Sequence, residues 1–176
     1  MTFCRRLTPF LCAVLVHGLA LAAEPATPPY KAHWPEGWDV ESHPTPSQKP
    51  GSGRVRVQRQ ENGKLAAAIE LVYFRRPAGK MSLDTDFAGV VKGLQEGYEA
   101  KGLTPKVAGP RATTLASHPA QEVESAVTGR GVALHQLYGM ALTAKYVYTL
   151  TYTAQDAHYE RYREAFEKAR QSLELP

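Results

Sequence analysis

Residues 54–74 read RVRVQRQ-ENGK-LAAAIELVYF, and they predict a β-hairpin. In the first arm Val55 and Val57 alternate with Arg54, Arg56 and Gln58. In the second, Ile69, Leu71 and Tyr73 alternate, with Glu70 between them. A period of two is that of a strand buried on one face only. The arms are joined by Glu61-Asn62-Gly63-Lys64, and Asn-Gly accepts the two positive φ angles that a tight type I′ turn demands. Pro77 and Gly79 end the second arm.

Working outward, the period changes to that of a helix. Ser82 is placed to cap it, with Asp84 and Asp86 in the first turn where negative charge suits the dipole. Phe87, Val90, Val91, Leu94 and Tyr98 recur on one stripe, and Lys101-Gly102 is a stop. Gly89, Gly93 and Gly97 repeat every four residues within this helix, each costing about 1 kcal/mol relative to alanine. The expected offset is close approach of a neighbouring backbone. Strands return near Lys106–Gly109. In residues 121–128, Val123, Ser125 and Val127 share one side, leaving Glu122 and Glu124 on the expected solvent side. After a Gly129-Arg130-Gly131 turn, Val132, Leu134, Tyr138, Met140 and Leu142 share a face. Tyr146, Tyr148, Leu150 and Tyr152 then alternate with Val147, Thr149, Thr151 and Thr153. Asp156 opens a last helix with the apolar stripe Tyr159, Tyr162, Phe166, Ala169 and Leu173. Glu164–Lys168 and Arg163–Glu167 are its expected i,i+4 ion pairs. The order of strands, helix, strands, helix predicts an α+β fold, an antiparallel β-sheet flanked by two main helices.

The N-terminal end carries different information. Arg5 and Arg6 precede a mostly apolar run to Leu21, and Ala20-Leu21-Ala22 is a small-x-small cleavage site. Residues 1–22 are therefore expected to be a signal peptide cleaved after Ala22, and the protein to be periplasmic or secreted. Cleavage takes 22 of 176 residues and leaves 154, enough for one domain with its own core. Residues 23–33 read as a Pro-rich lead-in and 34–176 as a single α+β domain. Cys4 and Cys12 both fall in the signal, so no disulfide or thiolate site is expected. The residues before Cys12 are not the small ones of a lipid-attachment site. Two of the 21 Lys and Arg leave with the signal. The remaining 19 face 17 acidic residues, a net charge of +2 that argues against nucleic acid as a partner. No later apolar run is long enough for a transmembrane anchor.

The opening Trp34-Pro35-Glu36-Gly37-Trp38, the element order, and the closing Tyr-x-Leu-x-Tyr strand with its amphipathic helix together resemble one architecture. It is the sandwich shared by the PsbP and Mog proteins, closest in style to small secreted bacterial proteins of unknown function. The resemblance spans about residues 34–175. It implies an accessory or partner-binding module without an active site, and it carries no functional residue over. The Pro- and Gly-rich loop from His43 to Gly53 is where departure from the pattern is expected.

Candidate sites are few. Trp34 and Trp38, beside the Pro-rich lead-in, are the aromatic candidates for a partner-facing surface. Arg54 and Arg56 share a strand face and, with Arg59, Arg75, Arg76 and Lys80, form a candidate basic patch whose plainer reading is a solvated, aggregation-resistant sheet face. His33, His43, His118, His135 and His158 show no metal-ligand spacing, so neither metal nor cofactor is expected. Ser117-His118 lacks a nucleophile elbow, and Asp84/Asp86 and Glu122/Glu124 read as a helix start and an exposed strand face. The expectation is a non-enzymatic periplasmic or secreted accessory protein that binds a protein partner or a cell-envelope component. A small-ligand or metal carrier is the alternative, and an envelope hydrolase a more distant third.

Overall fold

A computed structural model describes residues 28–43, 51–79 and 81–176. The expected signal peptide with its cleavage after Ala22, residues 23–27 of the lead-in, residues 44–50 of the expected loop, and Lys80 lie outside the described residues. The elements are β1 (Asp39–His43), β2 (Gly53–Glu61), β3 (Lys64–Arg75), α1 (Leu83–Glu99), β4 (Thr104–Val107), β5 (Arg111–Leu115), β6 (His118–Gly129), β7 (Val132–Leu142), β8 (Tyr146–Gln155) and α2 (Tyr159–Gln171). A single 3-10 turn, Asp156–His158, leads into α2. All eight strands join one antiparallel sheet in the order β1-β2-β3-β8-β7-β6-β4, with β5 also on β6.

The β2–β3 hairpin forms where the Asn-Gly pair places it. Glu61 pairs with Lys64, and Asn62 and Gly63 take φ of 52° and 71°. The β6–β7 turn repeats the device at Arg130 and Gly131, with φ of 51° and 75°. Two strands lack a sequence signal. β1 has a single large apolar residue, Val40, itself 50% exposed, and is a strand because β2 offers it an edge to pair with. β5 is tied to β6 by Ala116 and Ser117, which hold positive φ of 48° and 66° although neither is a glycine, asparagine or aspartate.

Register sorts the core. Val55, Val57, Ile69, Leu71, Tyr148, Leu150, Tyr152 and Leu137 lie on one face and pack with Tyr159, Phe166, Ala169 and Leu173 of α2 and its C-terminal extension. Tyr152 stacks on both Tyr159 and Phe166 at 5.0 Å. The alternate positions Val123, Met140 and Val147 pack instead with Phe87 of α1, joined by Tyr138 and Leu142. α1 ends at Ala100, with Gly102 at φ 71° and the Leu103 amide donating to the Tyr98 carbonyl.

Three expectations are corrected. Gly89, Gly93 and Gly97 do not meet a neighbouring backbone: all three are exposed, and a Cβ added at any of them finds nothing within 4 Å. Glu122 and Glu124 are not on a solvent face, because α2 lies over that side of β6. Glu122 is only 5% exposed, its carboxylate held by Arg111 at 2.6 Å and Arg170 at 3.1 Å, and Glu124 accepts the Tyr159 hydroxyl at 2.9 Å. On α2, Lys168 pairs with Glu164 at 2.7 Å as expected, but Arg163 turns to Glu160 and Glu167 to Arg170, one turn away in the other direction.

Candidate functional site

The segment before β1 is laid along α2, antiparallel to it. Lys31 and Glu174 exchange backbone hydrogen bonds of 3.0 and 2.9 Å, and the His33 amide donates to the Ser172 hydroxyl at 2.9 Å. Farther on, the chain reverses at Pro35–Trp38. The Trp38 amide donates to the Pro35 carbonyl at 3.4 Å, Gly37 takes φ 72°, and the Arg59 guanidinium donates to the Gly37 carbonyl at 2.8 Å. Both tryptophans are thereby pinned half-buried against the core edge. Trp34 meets Tyr30 edge-on at 6.4 Å, and Trp38 meets Tyr162 edge-on at 5.5 Å. Their outer sides, with Glu36 and His33, line an open groove of about 530 Å³. Arg161, Glu164 and Lys168 line the opposite wall from α2, with Ala165 and Ala169 between the walls.

Charge in the groove is largely closed into pairs. Lys168 is held by Glu164, and Arg161 by Glu61 at 3.0 Å. Glu61 also accepts the Tyr162 hydroxyl, and this bond, with Arg161 and His158 nearby, holds its carboxyl below the usual range. Burial, reinforced by Glu61, pushes the Tyr162 phenol up. Among the described residues, the Glu36 carboxylate, the His33 ring and the two indole N–H groups have no hydrogen-bond or ion-pair partner.

The other candidates lie elsewhere. Arg54 and Arg56 alternate with Val55 and Val57, so they sit on the sheet face away from α2 and are not joined to the tryptophans. Arg54 is bonded to Glu70 at 2.5 Å, and the Nε atoms of both arginines are buried without a partner. The larger basic patch is dispersed: Arg59 serves Gly37, and Arg76 donates to the carbonyls of Thr143 at 3.3 Å and Met81 at 3.0 Å. His118 lies 3.4 Å from the Leu175 carbonyl, His135 3.4 Å from Asp156, and His158 3.7 Å from Glu61. Among the described residues no group of three or more His, Asp or Glu side chains is placed to hold a metal ion, and no helix is long and apolar enough to cross a membrane.

Sequence reasoning found the two tryptophans but not the wall that faces them. Arg161, Glu164 and Lys168 read as an ordinary exposed helix side. The signal that was available is the Ala165/Ala169 pair, two small residues one turn apart, which leave space beside α2.

Residues 30–175 match a protein family described as a domain of unknown function, DUF4946. The chain belongs to this family. Among curated proteins, none matches the sequence. Among solved structures, this DUF4946 chain is similar to the cyanobacterial PsbP (CyanoP) of Synechocystis sp. PCC 6803, with 13% identity, a TM-score of 0.61, and coverage of 84% of this chain and 87% of that one. It is also similar to LpqN of Mycobacterium tuberculosis, described as involved in cell envelope biogenesis, with 16% identity, a TM-score of 0.49, and coverage of 88% of each chain. At such identities the likeness is one of fold: an α+β, PsbP-like architecture.

Proposed function

We propose that this protein is an extracytoplasmic accessory factor with a binding rather than a catalytic role. In this reading residues 1–22 direct export and are removed after Ala22, and residues 34–176 act as one α+β domain with a helix over each sheet face. The Trp34/Trp38 groove receives a protein partner or a component of the cell envelope. The observation that carries the reading is the groove itself. Two half-buried aromatic anchors are flanked by hydrogen bonds from their segment to Ser172 and Arg59, line about 530 Å³ of open space beside α2, and are rimmed by polar groups. The alternative, a carrier with its ligand enclosed between sheet and helix, is less well supported. The space beside Glu122 and Phe166 under α2 is about 10 Å³, far below the few hundred that a ligand occupies.

The test is site-specific photocrosslinking in the native host. A photoreactive side chain replacing Ala165, in the groove, is expected to give a discrete adduct. The same group replacing Ala88, on the exposed side of α1, is expected to give none. Equal adducts from both sites, or none from Ala165, would reject the groove as the binding surface.

A further inference from the structure

The chemistry lining the groove restricts what it can hold. Its arginine and lysine each have an acidic neighbour, Arg161 in Glu61 and Lys168 in Glu164, so an anion would meet an adjacent carboxylate at either cation. The unpaired Glu36 carboxylate further disfavours a phosphate or polyanion. What remains open is a set of unlike hydrogen-bonding groups. The indole N–H groups of Trp34 and Trp38 only donate, and the carboxylate of Glu36 only accepts. A proline-rich peptide lying on the indoles brings carbonyl acceptors but few N–H donors, and would leave the exposed Glu36 carboxylate to solvent rather than use it. Hydroxyl groups satisfy both kinds at once, since each donates and accepts. The indoles add broad apolar surface, suited to the C–H faces of a pyranose ring, and Ala165 and Ala169 leave the helix wall shallow enough for a ring to approach.

We infer that the groove binds a neutral saccharide chain, with ring faces on Trp34 and Trp38 and hydroxyls donated to Glu36. This rests on the groove being the binding surface.

Trp34 and Trp38 are the two tryptophans of the chain, so indole fluorescence reports on this groove. The purified protein is titrated with the tetramer of N-acetylglucosamine, with maltotetraose and with cellotetraose, exciting where tyrosine is silent. At least one should give a saturable change at millimolar concentration or below. Its affinity should be indifferent to salt, because a neutral ligand releases no counterions. Glu36→Gln, at an exposed position, should keep the melting temperature and weaken binding about tenfold by removing a charged acceptor. Trp38→Phe tests the ring while preserving most of its packing on Tyr162, and should weaken binding as well. Silence with all three oligosaccharides overturns the inference, as does binding that Glu36→Gln leaves untouched. If the oligosaccharides are silent while the Ala165 crosslink still forms, the saccharide is wrong and the groove stands. If both are silent, both fall.

Discussion

Glu122 is the residue whose environment most exceeds what a strand pattern conveys. A carboxylate 5% exposed is tolerable only because Arg111 and Arg170 meet it from a strand and a helix, Arg170 also reaching the Thr113 hydroxyl at 3.1 Å and the Thr114 carbonyl at 3.2 Å. Replacing Glu122 by Ala leaves the mostly buried Arg170 guanidinium without its buried carboxylate, while Arg111 stays solvated, and is expected to cost roughly 2–3 kcal/mol in urea unfolding. Breaking the exposed Lys31–Glu174 side-chain pair by Lys31→Ala should leave the midpoint nearly unchanged. Equal effects of the two substitutions would refute the assignment. Ser117 offers a test of opposite sign. It holds φ 66° on the β5–β6 turn, where glycine is unstrained, so Ser117→Gly should stabilise by about 0.5–1 kcal/mol, seen as a raised melting temperature. Neither residue was legible. Alternation along β6 gives Glu122 a face but not the cover over that face, and an Ala-Ser pair lacks the Gly or Asn that marks positive φ.

At the scale of elements, α1 keeps a stripe of glycine without a packing reason within the described residues. Its apolar side reaches the sheet through Phe87, while Gly89, Gly93 and Gly97 face outward with open space beyond them. Gly89→Ala, Gly93→Ala and Gly97→Ala should each add about 0.5–1 kcal/mol, because each narrows the unfolded ensemble and meets no obstacle. Gly63→Ala in the hairpin turn, at φ 71°, should lose a comparable amount. Chemical denaturation of the four variants checks both signs; a loss at all three helical sites would mean that an unseen contact fills the stripe. The elements read correctly are those with a strong local period: the hairpin of β2 and β3, the Tyr-rich β8, and the two helices. β1 and β5 were missed for the complementary reason. Each is five residues long, largely polar, and made a strand by a neighbour's free edge, which is a tertiary fact rather than a local one.

For the molecule as a whole, the tyrosines set a pH limit. Burial pushes Tyr138 and Tyr148 up to about 12, from 10.0 when free. Above pH 10 the unfolded chain releases these protons while the native state keeps them, so the unfolded state binds fewer and stability falls with rising pH. Stability from these two phenols is therefore complete below about pH 10 and is lost progressively toward pH 12. Urea midpoints measured across that range, with phenolate absorbance followed alongside, should decline together. A flat midpoint would show that the two rings titrate as if exposed. The groove was half legible in the same sense. Trp34 and Trp38 advertise themselves by size and by the Pro-Glu-Gly turn between them, but Arg161, Glu164 and Lys168 become its far wall only when the two ends of the fold meet.

That meeting has a consequence for when the groove comes into being. One wall belongs to the segment that opens the described fold and the other to its last helix, joined by the backbone exchange between Lys31 and Glu174. A ribosome makes Trp34 and Trp38 long before it makes Arg161 or Lys168, and until residues 159–175 arrive the two indoles face no far wall. A chain broken off anywhere after the sheet but before α2 would own every strand and yet display no groove. The groove is thus a late product of synthesis, present only once the chain has been made and folded through α2.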